Sequence, residues 1–268
     1  MDQPHRKVAI FSGAQRYCHM KKTIIILCLL CFSIVSIGQS VKAHDSIGHQ
    51  NLKFSAKQLI IPAVLMTYGV IAIESDYLKL INTELRNELK ESIDEKITID
   101  DFSQYAPALS VYMLNLGGIE GKNNLKDRSV ILGTSYLIMT ASTLSLKSLT
   151  KVERPDGSSN NSFPSGHTAT AFVGAEFLWQ EYKDVNIWYG ISGYAVAAGT
   201  GFFRIYNGRH WLSDVAMGAG IGIMSTKIAY WTFPYLQKKI FKSEKSVGAV
   251  MPFYNGSQFG IGAVICFK

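Results

Sequence analysis

The chain has 268 residues, a formal charge of +7 and 47% apolar side chains. Residues 1–43 hold six of the 27 basic residues (Arg6, Lys7, Arg16, Lys21, Lys22 and Lys42) and one of the 20 acids (Asp2), which leaves 21 basic against 19 acidic residues. A body so nearly neutral lacks the cationic face that nucleic acid requires; with Cys18, Cys28 and Cys31 in the leader, Cys266 stands alone and forms no internal disulfide.

Residues 1–19 show no pattern and read as an upstream extension. The charged start Met20-Lys21-Lys22, the uncharged stretch 23–38 and Ala43, with Val41 two before it, read as a secretory signal or a retained anchor helix. Residues 44–245 are expected to form one helical domain and 246–268 a tail. Between its polar ends Gln58 and Glu74 the segment 58–74 is apolar except for Thr67 and Tyr68, and slightly extended it reaches the length of a bilayer span. Leu78, Ile81, Leu85, Leu89 and Ile93 then recur at helical spacing opposite a charged face, which predicts an amphipathic helix suited to lie flat on a membrane.

A shorter apolar helix is expected over 106–119, ended by Gly117-Gly118. Residues 129–146 carry no charge over 18 positions, near the length of a span. Further helices are expected over 167–180, 188–203 and 210–233. In the last of these Gly218, Gly220 and Gly222 cost helix propensity, and they predict close approach of a neighbouring backbone. Asn255-Gly256 between the β-prone runs 247–253 and 259–267 signals a hairpin.

The loop 120–128 carries Lys122, Lys126 and Arg128, and the stretch after the last helix carries Lys238, Lys239, Lys242 and Lys245. Basic loops favour the cytoplasmic side. That orientation puts Arg154 and the start of the 210–233 helix outside. A cleaved leader would instead leave residue 44 outside, in conflict with this orientation if 58–74 crosses the bilayer.

The chemistry lies in three clusters: Lys147-x6-Arg154-Pro155, Pro164-Ser165-Gly166-His167 and Arg204-x5-His210-x3-Asp214. Each sits where an apolar segment meets a polar loop, and in an antiparallel bundle these ends share one face. His210 and Asp214 stand one helical turn apart. The carboxylate can take the Nδ1 proton, leaving Nε2 free to attack phosphorus. His167 heads the neighbouring helix, placed to protonate a departing oxygen. Lys147, Arg154 and Arg204 supply cations to a phosphoryl group whose equatorial oxygens carry the charge. The amides of Ser165, Gly166 and His167 lie at a helix N-terminus, an anion seat, and Gly166 permits close backbone approach. Alone, Lys147 reads as an interfacial anchor and His210–Asp214 as a structural pair. No Cys/His spacing suggests zinc.

These three ordered motifs resemble the signature of the type 2 phosphatidic acid phosphatase (PAP2) superfamily, covering about Lys147 to Asp214. The resemblance implies an all-α antiparallel bundle of the PAP2/haloperoxidase type, embedded in a membrane by about five or six long apolar helices, with the hairpin appended. It implies His210 as the phosphorylated nucleophile, Asp214 as its orienter and His167 as general acid. Lys147, Arg154, Ser165, Gly166 and Arg204 become phosphate ligands, with no metal and no other cofactor; haloperoxidase relatives hold vanadate in the same pocket. One position departs: Phe203 stands where the signature has serine, which puts one hydrogen bond to the site in question. The expected activity is metal-independent removal of phosphate from a membrane lipid, of the lipid A, undecaprenyl pyrophosphate or phosphatidylglycerol phosphate type, at the periplasmic face of a bacterial inner membrane. The alternative is a soluble periplasmic acid phosphatase on small phosphomonoesters. The expected partners are the lipid substrate and the bilayer.

Overall fold

The computed structural model describes residues 55–91, 98–240, 246–254 and 259–267. The expected leader over 20–43 and the Asn255-Gly256 turn lie outside the described residues. A 3-10 turn, Ala56–Leu59, enters α1 (Ile60–Glu74), followed by α2 (Asp76–Glu91), α3 (Ile99–Ser103) and α4 (Ala106–Leu116). The longer helices are α5 (Leu125–Thr150), α6 (Gly166–Tyr182), α7 (Ile187–Tyr206) and α8 (Leu212–Ile240). Strands β1 (Ser246–Tyr254) and β2 (Phe259–Phe267) pair antiparallel, from Ser246 opposite Phe267 to Tyr254 opposite Phe259.

The central helix is α6, which packs on α4, α5, α7 and α8, while α8 also packs on α1 and α5. Small side chains make this possible: Ala169, Ala171, Val173 and Ala175 of α6 are wholly buried. The glycines of α8 divide between two neighbours. A Cβ at Gly218 would stand 2.5 Å from the carbonyl oxygen of Ser165, and one at Gly222 2.5 Å from that of Ala169. A Cβ at Gly220 would stand 2.6 Å from Met66 Cγ on α1. Helix α8 is therefore held between α6 and α1 at distances that exclude a methyl group.

Two larger apolar clusters and a smaller one of alanines (Ala171, Ala175, Ala197) lie inside the described residues. Of the larger two, one gathers Val111, Ile131, Phe177, Tyr182, Tyr230 and Phe233; the other gathers Met139, Phe163, Val173, Met217 and Ile221. Buried charges cross the bundle as well. Glu176 accepts from Lys227 and Gln180, each at 2.6 Å, and from the hydroxyl of Tyr194. Glu181 accepts from Tyr230 and Asn123 and stands 3.9 Å from Arg128. Closed by protein donors, these carboxylates avoid the penalty of an unpaired buried charge.

Two helices are long and apolar enough to cross a bilayer among the described residues: α1 with its leading turn, 19 residues, and α5, 26 residues. At 1.5 Å per residue α5 measures about 39 Å. The sequence suggested about five or six such helices. The shortfall has a physical reason. α7 and α8 place glycine, serine and threonine where a lipid-facing helix carries leucine, and α6 and α8 bring Glu176, Glu181 and Lys227 into the bundle. Large apolar side chains stay exposed on α1 (Ile60, Ile61, Val64, Val70, Ile71) and on α5 (Leu137, Leu144, Leu149).

Two elements differ from the sequence reading in ways that matter to the site. The helix expected from residue 210 begins at Leu212, so His210 lies in the loop before it. The short helix α3 had no periodicity to announce it, and it carries Asp100 and Asp101.

Candidate active site

Two loops meet above α6. One joins α5 to α6 (residues 151–165), the other α7 to α8 (residues 207–211). They are tied by Trp211 Nε1 donating to the Glu153 carbonyl at 2.9 Å and by Arg209 paired with Asp156 at 3.2 Å. Helix α2 braces the first loop and the start of α8: Arg86 donates to the Pro155 carbonyl, and Asn82 donates to Ser213 Oγ at 3.1 Å.

Asp214 joins helix start to chemistry. It sits in the first turn of α8, and its Oδ2 accepts from the backbone amide of Trp211 at 2.8 Å. That reach back resembles the carboxylate half of a capping box. The same oxygen accepts from Ser162 Oγ at 2.5 Å and stands 3.4 Å from His210 Nδ1. Ser162 Oγ lies 3.5 Å from the same ring nitrogen. His210 and Asp214 thus meet as expected, but through a loop folding back onto a helix start rather than along one helix face. Both side chains are buried. Burial holds His210 down at about 4, against the upward pull of Asp214, so the imidazole is neutral at neutral pH and keeps a lone pair.

Of the three cations, two bear on it directly. The charges of Arg204 and Lys147 both reach His210, and that of Arg154 reaches Lys147. Asn161 orders two of them: Lys147 Nζ donates to its carbonyl, and Arg154 Nε to its side-chain oxygen at 3.0 Å. Burial and the neighbouring Arg204 and Arg209 lower Arg154. Arg204 is buried near the end of α7, where Nη1 pairs with Asp100 Oδ2 at 2.6 Å. Its Nε is buried with no acceptor among the described residues, a donor that an incoming anion would satisfy.

Ser165 caps α6: its Oγ accepts from the amide of Thr168 at 3.4 Å and lies 2.8 Å from the Thr168 hydroxyl. Its own amide donates to the Asp214 carbonyl at 3.0 Å. The expected seat of three amides is therefore narrower, because Ser165 spends its N–H inside the protein. The amides of Gly166 and His167 remain, first-turn donors that have no acceptor within the helix. No protein atom lies within 4 Å of where a Cβ on Gly166 would stand, so the space beside that backbone is open. His167 faces Asp101, Nε2 to Oδ1 at 3.0 Å. Burial and Arg204 lower His167, and Asp101 opposes them. Phe203, in the place of the signature's serine, packs its ring edge against Phe202 and Tyr206 and offers no hydroxyl.

Sequence reasoning missed Asp100, Asp101, Asn161 and Ser162. The last two stand before Phe163, which leads into the second motif, at the end of a polar run that reads only as loop, and the tandem aspartates carry no spacing signal.

The family model of the PAP2 superfamily matches residues 128–238. Residues 128–238 are a PAP2 superfamily domain. This PAP2 domain contains every residue of the three motifs. Over 138 residues, 50% of its length, the chain is 38% identical to a lipid A 1-phosphatase of Porphyromonas gingivalis. Over 101 residues, 37% of the chain, it is 31% identical to the bacitracin transport permease protein BcrC of Bacillus licheniformis. The matched regions span 30% and 48% of the lengths of these two relatives. Two crystal structures are similar over 67% of the chain: Aquifex aeolicus LpxE, covered to 98%, with 21% identity and a TM-score of 0.38, and a transmembrane PAP2 type phosphatidylglycerolphosphate phosphatase from Bacillus subtilis, covered to 97%, with 18% identity and a TM-score of 0.41.

Proposed function

We propose that the PAP2 domain removes phosphate from a membrane lipid through a phosphohistidine at His210, and that the 1-phosphate of lipid A is the foremost candidate. The observation that carries the reading is His210: neutral, buried, and held at Nδ1 by Asp214, with Lys147 and Arg204 in electrostatic reach. A neutral imidazole anchored at one nitrogen presents the other as a nucleophile. Lys147, Arg154 and Arg204 hold the phosphoryl oxygens, with Gly166 and His167 lending amides. His210 Nε2 attacks phosphorus, the leaving oxygen takes a proton from His167, and water then cleaves the P–N bond. Ser165 supports the seat as cap. The substrate class rests on the similarity to a lipid A 1-phosphatase, and on the exposed apolar faces of α1 and α5, which suit a site fed from a bilayer.

The test is phosphate release in detergent from lipid A, undecaprenyl pyrophosphate and phosphatidylglycerol phosphate, with and without chelator. Release from lipid A that chelator leaves untouched, and that falls on the order of 10³-fold or more in His210→Ala, is the expected result. Undiminished release by that variant removes the nucleophile from His210. Release confined to small soluble esters turns the assignment toward a non-specific acid phosphatase.

A further inference from the structure

Two consecutive aspartates of α3 stand against two different groups of the site. Asp100 is almost wholly buried: Oδ2 pairs with Arg204 Nη1 at 2.6 Å, and Oδ1 accepts from Asn207 Nδ2 at 3.1 Å. Asp101 is exposed at 52% of its side chain and places Oδ1 3.0 Å from His167 Nε2 and 3.6 Å from Arg204 Nη1. Resting on the reading of His210 as nucleophile and His167 as acid, we infer that Asp101 is the positioning residue of the general acid. Its carboxylate accepts a hydrogen bond from the Nε2–H of His167, aims Nδ1 at the leaving oxygen and stabilises the imidazolium until the P–O bond breaks.

A histidine has two ring nitrogens, and the partner of one decides what the other does. Nε2 of His167 is engaged by a carboxylate, so Nδ1 is the nitrogen that serves the substrate. The carboxylate does not float. Helix α3 is pinned to α7 by the Asp100–Arg204 pair and by a 2.7 Å contact between Ser103 Oγ and Thr200 Oγ1. Gln104 Nε2 donates to the Asp101 carbonyl at 2.8 Å, which steadies the turn from the other side. The charged groups that bear on His167 are Arg204 of α7 and Asp101 and Asp100 of α3. Arg204 disfavours the imidazolium and the two carboxylates favour it. Without Asp101, burial and Arg204 would act on His167 opposed only by the more distant Asp100.

The steps balance. The lone pair of His210 Nε2 forms the N–P bond, and the electrons of the breaking P–O bond go to the leaving oxygen, which takes the proton of His167 Nδ1. Water then attacks phosphorus and gives a proton back to Nδ1. Inorganic phosphate leaves, and His210 returns neutral.

The experiment compares the wild-type full chain in detergent with Asp101→Asn, Asp101→Glu and His167→Ala on two water-soluble monoesters. One is p-nitrophenyl phosphate, whose leaving oxygen needs little protonation; the other is an alkyl phosphate, whose leaving oxygen is strongly basic. A positioned acid contributes about 10²–10⁴-fold. Asp101→Asn is expected to lose roughly 10–100-fold of kcat on the alkyl ester and only a few-fold on the nitrophenyl ester. The alkaline limb of its kcat/KM profile on the alkyl ester moves to lower pH, and Asp101→Glu recovers most of the loss. His167→Ala shows the same leaving-group bias more strongly. Equal losses on both esters with an unmoved alkaline limb would make Asp101 merely structural and overturn the inference. Absence of any bias in His167→Ala would instead overturn the reading of His167 as acid, while His210→Ala tests the nucleophile separately.

Discussion

A single carboxylate oxygen, Asp214 Oδ2, meets a backbone amide, a serine hydroxyl and a histidine ring. Concentrating three partners on one oxygen ties the start of α8 to the orientation of His210. Whatever shifts the helix start therefore shifts the proposed nucleophile. The protonation of the two histidines follows from the same surroundings. Burial lowers His210 to about 4, so below that pH the ring holds a proton and its lone pair is gone. His167 is lowered from its ordinary 6.5, by burial and then by Arg204, so its proton is lost on the acid side of neutrality. The proposed mechanism needs the first ring neutral and the second charged. The profile of kcat/KM on an alkyl phosphate is therefore expected to be a bell lying between pH about 4 and 6.5. A plateau that continues above neutrality would contradict this assignment of base and acid.

Among the helices, α8 carries the strictest packing demand. At Gly218 a methyl group would stand 2.5 Å from the Ser165 carbonyl, directly below the cap of α6. Gly218→Ala must push α8 away from the turn that presents Gly166 and His167. Overpacking of this kind costs about 1–3 kcal/mol, so a lower unfolding temperature and lower activity together are expected. Gly133 on α5 is the contrast, since a Cβ there meets nothing within 4 Å. Gly133→Ala removes a poor helix former at an open position, and a gain of up to about 1 kcal/mol is expected from propensity. Thermal unfolding of both variants in detergent checks the pair. A neutral Gly218→Ala would show that α6 and α8 are not in close register. Helix α3 makes a different point about elements: with five residues it has little stability of its own, and its buried salt bridge to α7 holds it in place.

At the scale of the whole molecule, the exposed apolar surface and the candidate site belong to the same set of helices. Exposed isoleucine, valine and leucine side chains on α1 and α5 are too many to be scattered surface residues, and a bilayer would cover them. The protein is expected to sediment with membranes and to be released by detergent. High salt, which screens only charged surface contacts, is expected to leave it there. Release by salt alone would favour a soluble or peripheral enzyme. The proposed function places the substrate phosphate where α5, α6, α7 and α8 end or begin, at the polar limit of the apolar helices.

The three motifs, their order and their helical setting were legible because each residue type is tied to a local requirement. A histidine four residues before an aspartate, a serine that can cap, and glycines in an apolar helix state their purpose through spacing along the chain. Local spacing also explains why the amphipathic α2 and the close contacts of α8 could be read in advance. What spacing could not reveal are partners brought from far away. Asp100 meets Arg204 across more than a hundred residues, Asp101 meets His167 across 66, and Ser162 meets Asp214 across 52. No periodicity distinguishes these polar residues from those of an ordinary loop. The position of His210 ahead of its helix was equally hidden, because the same contact to Asp214 arises from a helix turn or from a folded loop. Tertiary packing alone settles such matters, since a carboxylate's role is defined by which cation and which imidazole the folded chain sets beside it.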